Sequence, residues 1–230
     1  IAMREMAKHN ALVRRMPAVE ALGCTSVICT DKTGTLTRGE MTVRRVHVAG
    51  MDYEVTGTGY APEGDIVGAG GNAVMERLLL TGTLSNDATV LQTDALWHVN
   101  GDPTEGALLV LATKSGMHTE AVRLAHPRID EVPFSSEKKR MVTVHDTPDG
   151  SRIACLKGAP EAVLALCTRM ATAHGDIMLD EQARAAVVEA SHRYAADAMR
   201  VLAIAVRTLP AAHTTACLLY TSPSPRDQRG

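Results

Sequence analysis

Aromatic side chains are scarce in this 230-residue chain: one phenylalanine, one tryptophan and four tyrosines make up 3% of it. A core has to come from aliphatic residues, within a hydrophobic share of 45% that is ordinary for a globular protein. The length allows one large domain or two small ones. Charge of one sign is also missing. A formal net charge of −2 excludes the broad basic surface that nucleic acid requires. No stretch approaches the roughly 20 consecutive apolar residues of a membrane-spanning helix. The five cysteines (Cys24, Cys29, Cys155, Cys167, Cys217) contain no CxxC pair and follow no secretory signal, so they read as reduced, cytosolic thiols. Nine histidines without metal-ligand spacing argue against a dedicated transition-metal site. The P-loop pattern GxxxxGK[ST] is absent, and Gly68-Ala69-Gly70-Gly71, which lacks the following Lys-Ser/Thr, reads as a flexible loop.

What is present has the punctuation of a mixed α/β protein. Residues 2–16 mix apolar and basic positions and predict one helix, closed by Pro17. Thr25-Ser26-Val27-Ile28-Cys29-Thr30 is a short apolar, β-branched run that stops at Asp31-Lys32-Thr33-Gly34-Thr35, the pattern of a buried parallel strand followed by a loop. Beyond Met41, apolar runs at 41–48, 52–56, 129–134, 141–145, 152–157 and 201–206 predict strands. Asp102-Pro103-Thr104-Glu105 supplies a capping acid, a first-turn proline and a glutamate three residues after the cap, which predicts a helix over about 103–114. Further helices are predicted over 72–85, from Pro160 through Leu166, and over about 180–199, where Ala183, Val187, Ala190, Tyr194 and Ala198 share a face. No internal repeat is evident.

Asp31 is the first residue with chemical promise. A carboxylate at the carboxyl end of a parallel strand lies where open α/β sheets place ligands, and the Thr33-Gly34-Thr35 backbone could cradle a phosphate. A lone aspartate in that position is ordinarily a turn residue or helix cap; the surrounding residues decide between the two.

Cys29-Thr30-Asp31-Lys32-Thr33-Gly34-Thr35-Leu36-Thr37 resembles the phosphorylation motif of P-type ATPases, whose core is Asp-Lys-Thr-Gly-Thr. The resemblance runs upstream through Asn10-Ala11-Leu12-Val13-Arg14 and Pro17-Ala18-Val19-Glu20-Ala21-Leu22-Gly23-Cys24-Thr25, and so covers the first 40 residues. It implies that Asp31 is the phosphorylated nucleophile, and that its carboxylate and the main-chain carbonyl of Thr33 hold Mg²⁺. Phosphatases of the related haloacid dehalogenase superfamily carry a second aspartate where this chain has Thr33. Its loss fits an aspartyl phosphate that persists.

Four more segments resemble the family's nucleotide-binding domain, in the family's order. Gly101-Asp102-Pro103-Thr104-Glu105-Gly106-Ala107-Leu108 implies an adenine contact by Glu105, which could equally be a capping-box residue. Val132-Pro133-Phe134-Ser135-Ser136-Glu137-Lys138-Lys139-Arg140-Met141 implies that Phe134 stacks on adenine and Lys139 supplies a cation; by itself a single phenylalanine is more often core filler. Leu156-Lys157-Gly158-Ala159-Pro160-Glu161 implies Lys157 in the pocket, with Gly158 letting the ligand approach the backbone. Ala198-Met199-Arg200-Val201-Leu202 implies that Arg200 reaches the ATP phosphates, although it could serve only the dipole of the preceding helix.

The expectation is therefore a mostly antiparallel α+β nucleotide-binding domain over 41–209. It is preceded by a helical link (1–17) and the first part of a Rossmann-like phosphorylation domain (18–40). A non-native, disordered tail resembling translated adapter sequence follows over 210–230. The resemblance implies an ATP-driven cation pump, calcium first among its ions, of which this chain holds the ATP-binding and acceptor segments, on the cytoplasmic face of a membrane reached through segments beyond this chain. A soluble phosphatase of the haloacid dehalogenase type and a non-catalytic nucleotide-binding module remain the alternatives.

Overall fold

The computed structural model of the chain describes residues 2–11, 14–31, 39–94 and 96–210. Its contacts divide into two compact units, one reaching to Gly39 and the other starting at Glu40.

The first unit holds α1 (Ala2–Lys8) and α2 (Met16–Gly23). The single helix expected over 2–16 is thus two, and Pro17 opens the second one instead of closing the first. The reason is positional: a proline lacks the N–H that a first-turn residue leaves unpaired anyway. The strand expected over 25–31 is also absent. Residues 27–31 have no regular structure, and Val27 and Ile28 are 74% and 82% exposed. A strand exists only with a neighbour to accept and donate its backbone hydrogen bonds, and no described strand pairs with this run.

The second unit begins with a hairpin of β1 (Arg45–Val48) and β2 (Met51–Glu54), turned by Ala49 and Gly50, both at positive φ. Then come α3 (Ala73–Leu84), the hairpin β3 (Thr89–Thr93) and β4 (Leu96–Asn100), α4 (Pro103–Lys114) and α5 (Thr119–Ala125). The chain next lays down β5 (Arg128–Ser135), β6 (Arg140–Asp146) and β7 (Arg152–Gly158), turns through α6 (Pro160–Leu164), and forms a third hairpin of β8 (Arg169–Thr172) and β9 (Gly175–Met178). It ends with α7 (Glu181–Ala196) and β10 (Ala203–Leu209). The central sheet is four-stranded and antiparallel throughout, in the order β10-β7-β6-β5.

Two apolar clusters hold these pieces. On one face of the sheet, Val142, Val144, Ala154 and Leu156 pack with Val163 of α6 and Leu209. The second cluster joins Val46, Val48, Tyr53 and Val55 of the first hairpin region to Val74, Met75 and Leu79 of α3 and to Leu111 and Ala112 of α4. The carboxyl end of α3 meets the sheet: the Thr143 hydroxyl donates to the Leu84 carbonyl at 3.3 Å, and a Cβ on Gly82 would come within 3.2 Å of Ile204. Far from that end, Asp52 on β2 accepts from the Tyr194 hydroxyl and from Arg193 of α7, fastening the first hairpin to the last helix.

The expectation for 210–230 lies almost wholly outside the described residues, as does the one for Thr33. Among the described residues, no helix is long and apolar enough to cross a membrane.

Candidate functional site

The amino end of α4 and the carboxyl end of β7 meet at one ion pair. Asp102 caps α4, its carboxylate accepting from the Thr104 and Glu105 amides at 2.8 and 3.3 Å, which places Glu105 in the first turn. Burial pushes the Asp102 carboxyl up, but hydrogen bonds from Thr104 and Glu105 and the nearby Arg200 outweigh it and hold it below the usual carboxylate range. Gly106 lets the helix lie close on β4, because a Cβ there would sit 2.4 Å from the Val99 methyls.

Lys157 is the penultimate residue of β7, an inner strand, flanked by Met141 on β6 and Ile204 on β10. It is 6% exposed, and its Nζ donates to Glu105 Oε1 at 2.8 Å. A buried ammonium needs such a partner, since stranding either charge would cost about 3–5 kcal/mol. Glu105 Oε2 is held separately, by the Asp87 amide at 3.0 Å.

The other predicted residues border this pair. Arg200, in the link into β10, donates to the Thr104 hydroxyl at 2.9 Å, one residue from Glu105. Gly158 pairs with Arg140 and Ala203, and its α-carbon faces the turn so closely that a Cβ would lie 2.5 Å from the Lys139 carbonyl. Lys139 occupies that turn with φ +50°, and its Nζ lies 3.3 Å from Glu161 Oε1 in an exposed pair. Phe134 sits at an irregularity of β5: between Val132↔Val142 and Ser135↔Arg140, both Pro133 and Phe134 oppose Met141 alone. A bulge of this kind re-aims a side chain. The ring is 62% exposed, which removes the core-filler reading and leaves a face free for stacking.

Asp31 belongs to the first unit and is exposed there. Sequence reasoning missed Asn86 and Asp87. Asn86 is 2% exposed, and its Nδ2 donates to the Glu105 carbonyl at 2.8 Å. The available signal was a polar Ser85-Asn86-Asp87 run ending an apolar helix, which looks like any loop. The register sets Phe134 and Lys157 on either side of Met141, and the neighbourhood thus offers an exposed ring, a carboxylate and three cations.

The family model for the P-type ATPase cytoplasmic domain N matches residues 74–227, which contain every one of these groups except Asp31 and Thr33. The chain belongs to the P-type ATPases. It is 40% identical over 224 residues to a cation-transporting ATPase of Synechocystis sp., covering 93% of this chain and 24% of that protein. A calcium-transporting ATPase of Bacillus subtilis is 36% identical over 221 residues, 93% of this chain and 25% of that protein. The human calcium-transporting ATPase type 2C member 1 is 38% identical over 215 residues, 89% and 23%. The chain thus spans about a quarter of the length of the curated relatives it matches, and within this P-type ATPase chain the domain N match begins just after Asn72, the cap of α3.

Proposed function

We propose that the second unit binds ATP and that Asp31 accepts its γ-phosphoryl group in an ATP-driven cation pump, with Ca²⁺ the first candidate ion. The observation that carries the reading is the meeting of Glu105 and Lys157 at 2.8 Å beside an exposed Phe134 ring and Arg200. Adenine stacks on Phe134, Glu105 accepts from its exocyclic amino group with Lys157 beside it in the pocket, Lys139 supplies a cation, and Arg200 faces the phosphates. The names of the Bacillus subtilis and human relatives support calcium, and the match to a cytoplasmic domain supports a position on the cytoplasmic face of a membrane.

For Mg²⁺, the donor chemistry fits: a carboxylate at Asp31 and a main-chain carbonyl at Thr33 are hard oxygen ligands of the type this ion prefers. The ion would spread the charge of the transferring phosphoryl group. Asp31 itself supplies the attacking oxygen, ADP leaves, and Thr33 stands where a second aspartate would otherwise activate water against the acyl phosphate. The phosphorylation domain is thereby read as a haloacid-dehalogenase-type, Rossmann-like fold that begins over 18–40.

Calorimetric titration with ATP tests the binding step. Saturable binding should weaken by about tenfold or more in Phe134→Ala, since base stacking on one aromatic contributes about 1–3 kcal/mol. Binding by the wild type that survives Phe134→Ala and Lys157→Ala unchanged would sink the site. For the acceptor, hydroxylamine-sensitive label from γ-labelled ATP on Asp31 supports the pump reading. Saturable binding with no label reduces the chain to a nucleotide-binding module, and rapid hydrolysis of small phosphate esters would point to a phosphatase.

A further inference from the structure

The Glu105 carboxylate is fixed from two sides, by Lys157 on Oε1 and by the Asp87 amide on Oε2. The second anchor stands on a turn that Asn86 ties to the Gly82 carbonyl of α3 and the Glu105 carbonyl of α4, and that Thr143 of β6 ties at the Leu84 carbonyl. Residues 85–88 follow α3, and two arginines grip them from behind. Arg123 Nη2 donates to the Asn86 and Ala88 carbonyls at 3.2 and 3.0 Å. Arg128 Nη2 donates to the Asn86 and Leu84 carbonyls at 2.9 and 3.3 Å, while its Nη1 binds the Asp87 and Glu131 carboxylates at 2.5 and 2.6 Å. Asn86 completes the turn internally, its Oδ1 accepting from the Ala88 amide at 3.0 Å.

Behind the turn lies a cleft of about 270 Å³ bordered by Asn86, Asp87, Arg123, His126, Arg128 and His145. On that side the guanidinium forks complete the hold on the turn that carries the Asp87 amide, each bonding several acceptors at once as a lysine ammonium on a flexible stem cannot.

We infer that Arg123 and Arg128 are positioning residues which, through the Asn86–Asp87 turn, aim the Glu105 carboxylate and so set the preference for adenine over guanine nucleotides. The inference rests on the reading of the Glu105–Lys157 pocket as a nucleotide site. An ionised carboxylate only accepts hydrogen bonds. Held still, it attracts the exocyclic amino group of adenine and repels the oxygen that guanine carries at the same ring position. Released from Asp87, it can turn away from that oxygen, and the discrimination falls.

The test uses the 230-residue chain with Arg123→Lys and Arg128→Lys, singly and together, and measures dissociation constants for ATP and GTP and hydrogen exchange at the Asp87 amide. The paired variant is expected to lower the GTP-to-ATP ratio of dissociation constants by about tenfold, the loss of one hydrogen bond to a charged group, and to speed Asp87 exchange. Phe134→Ala, acting through stacking that tolerates any base, should weaken both nucleotides and leave the ratio alone. An unchanged ratio in the arginine variants overturns the inference, as does an equal loss for both nucleotides accompanied by a lower Tm, which marks a merely structural role. If the paired variant does not fold, Arg123→Lys decides alone. A wild type that binds neither nucleotide sinks the pocket reading and this inference with it, whereas binding with an insensitive ratio sinks only the inference.

Discussion

His145 is 3% exposed, and its Nδ1 lies 2.9 Å from the His126 carbonyl and must donate to it. Burial pushes the imidazole down from its usual 6.5; the His126 carbonyl pulls it up, the Arg128 charge lowers it, and the Leu84 carbonyl raises it by less. The sign follows from proton counting. Between the depressed folded value and 6.5 the unfolded chain binds more protons, so stability rises with pH there. The contribution is complete above about 6.5 and is lost as the pH falls through the folded value. Denaturant unfolding at pH 5 and 7.5 should show the wild type losing stability on acidification and His145→Gln losing less. Equal losses would remove His145 from the account. Residues of this kind are what the sequence conceals. Glu105, Phe134 and Lys157 stood out through their motif neighbours, whereas Asn86, Arg123 and Arg128 act through main-chain carbonyls that any residue possesses, and only the folded turn reveals them.

Elements were readable where the chain carries its own start signal. For α4 the cap and first-turn proline of Asp102-Pro103 fix the beginning, and the helix runs over Pro103–Lys114. For α3 the start is Asn72, whose Oδ1 accepts from the Val74 and Met75 amides while its Nδ2 donates to the Tyr53 hydroxyl at 2.8 Å. Asn72→Ala should cost about 1 kcal/mol from the cap, with a further loss from Tyr53. A change within about 0.3 kcal/mol in chemical denaturation would show the cap to be idle. Elements that depend on a partner were misread or missed. The 25–31 run has strand composition but no described neighbour, so its composition decides nothing. The β3–β4 hairpin escaped notice because its turn holds Asp94 at φ 49° without the Asn-Gly or Asp-Gly pair that announces such turns.

At the scale of the molecule, the two clusters, the three hairpins and the central sheet all lie in the unit that starts at Glu40. A chain starting at Glu40 should therefore melt within about 2 °C of the whole, a difference of at most about 1 kcal/mol for a unit of this size, and should bind ATP equally well. A fall of about 10 °C by scanning calorimetry would show that the first 39 residues contribute to the fold of the second unit. The antiparallel α+β character of that unit was legible because its strands alternate and end in turn residues.

The Glu105–Lys157 pair has one more consequence. With Glu105 as its partner, the buried Lys157 offers no unmatched charge to a stray phosphate or metal ion. Among the groups exposed to solvent is the Phe134 ring, which recognises flat molecules and ignores small ions. Recognition should accordingly run from the base towards the phosphates, the aromatic end of the ligand docking first, and orthophosphate alone should compete poorly with ATP.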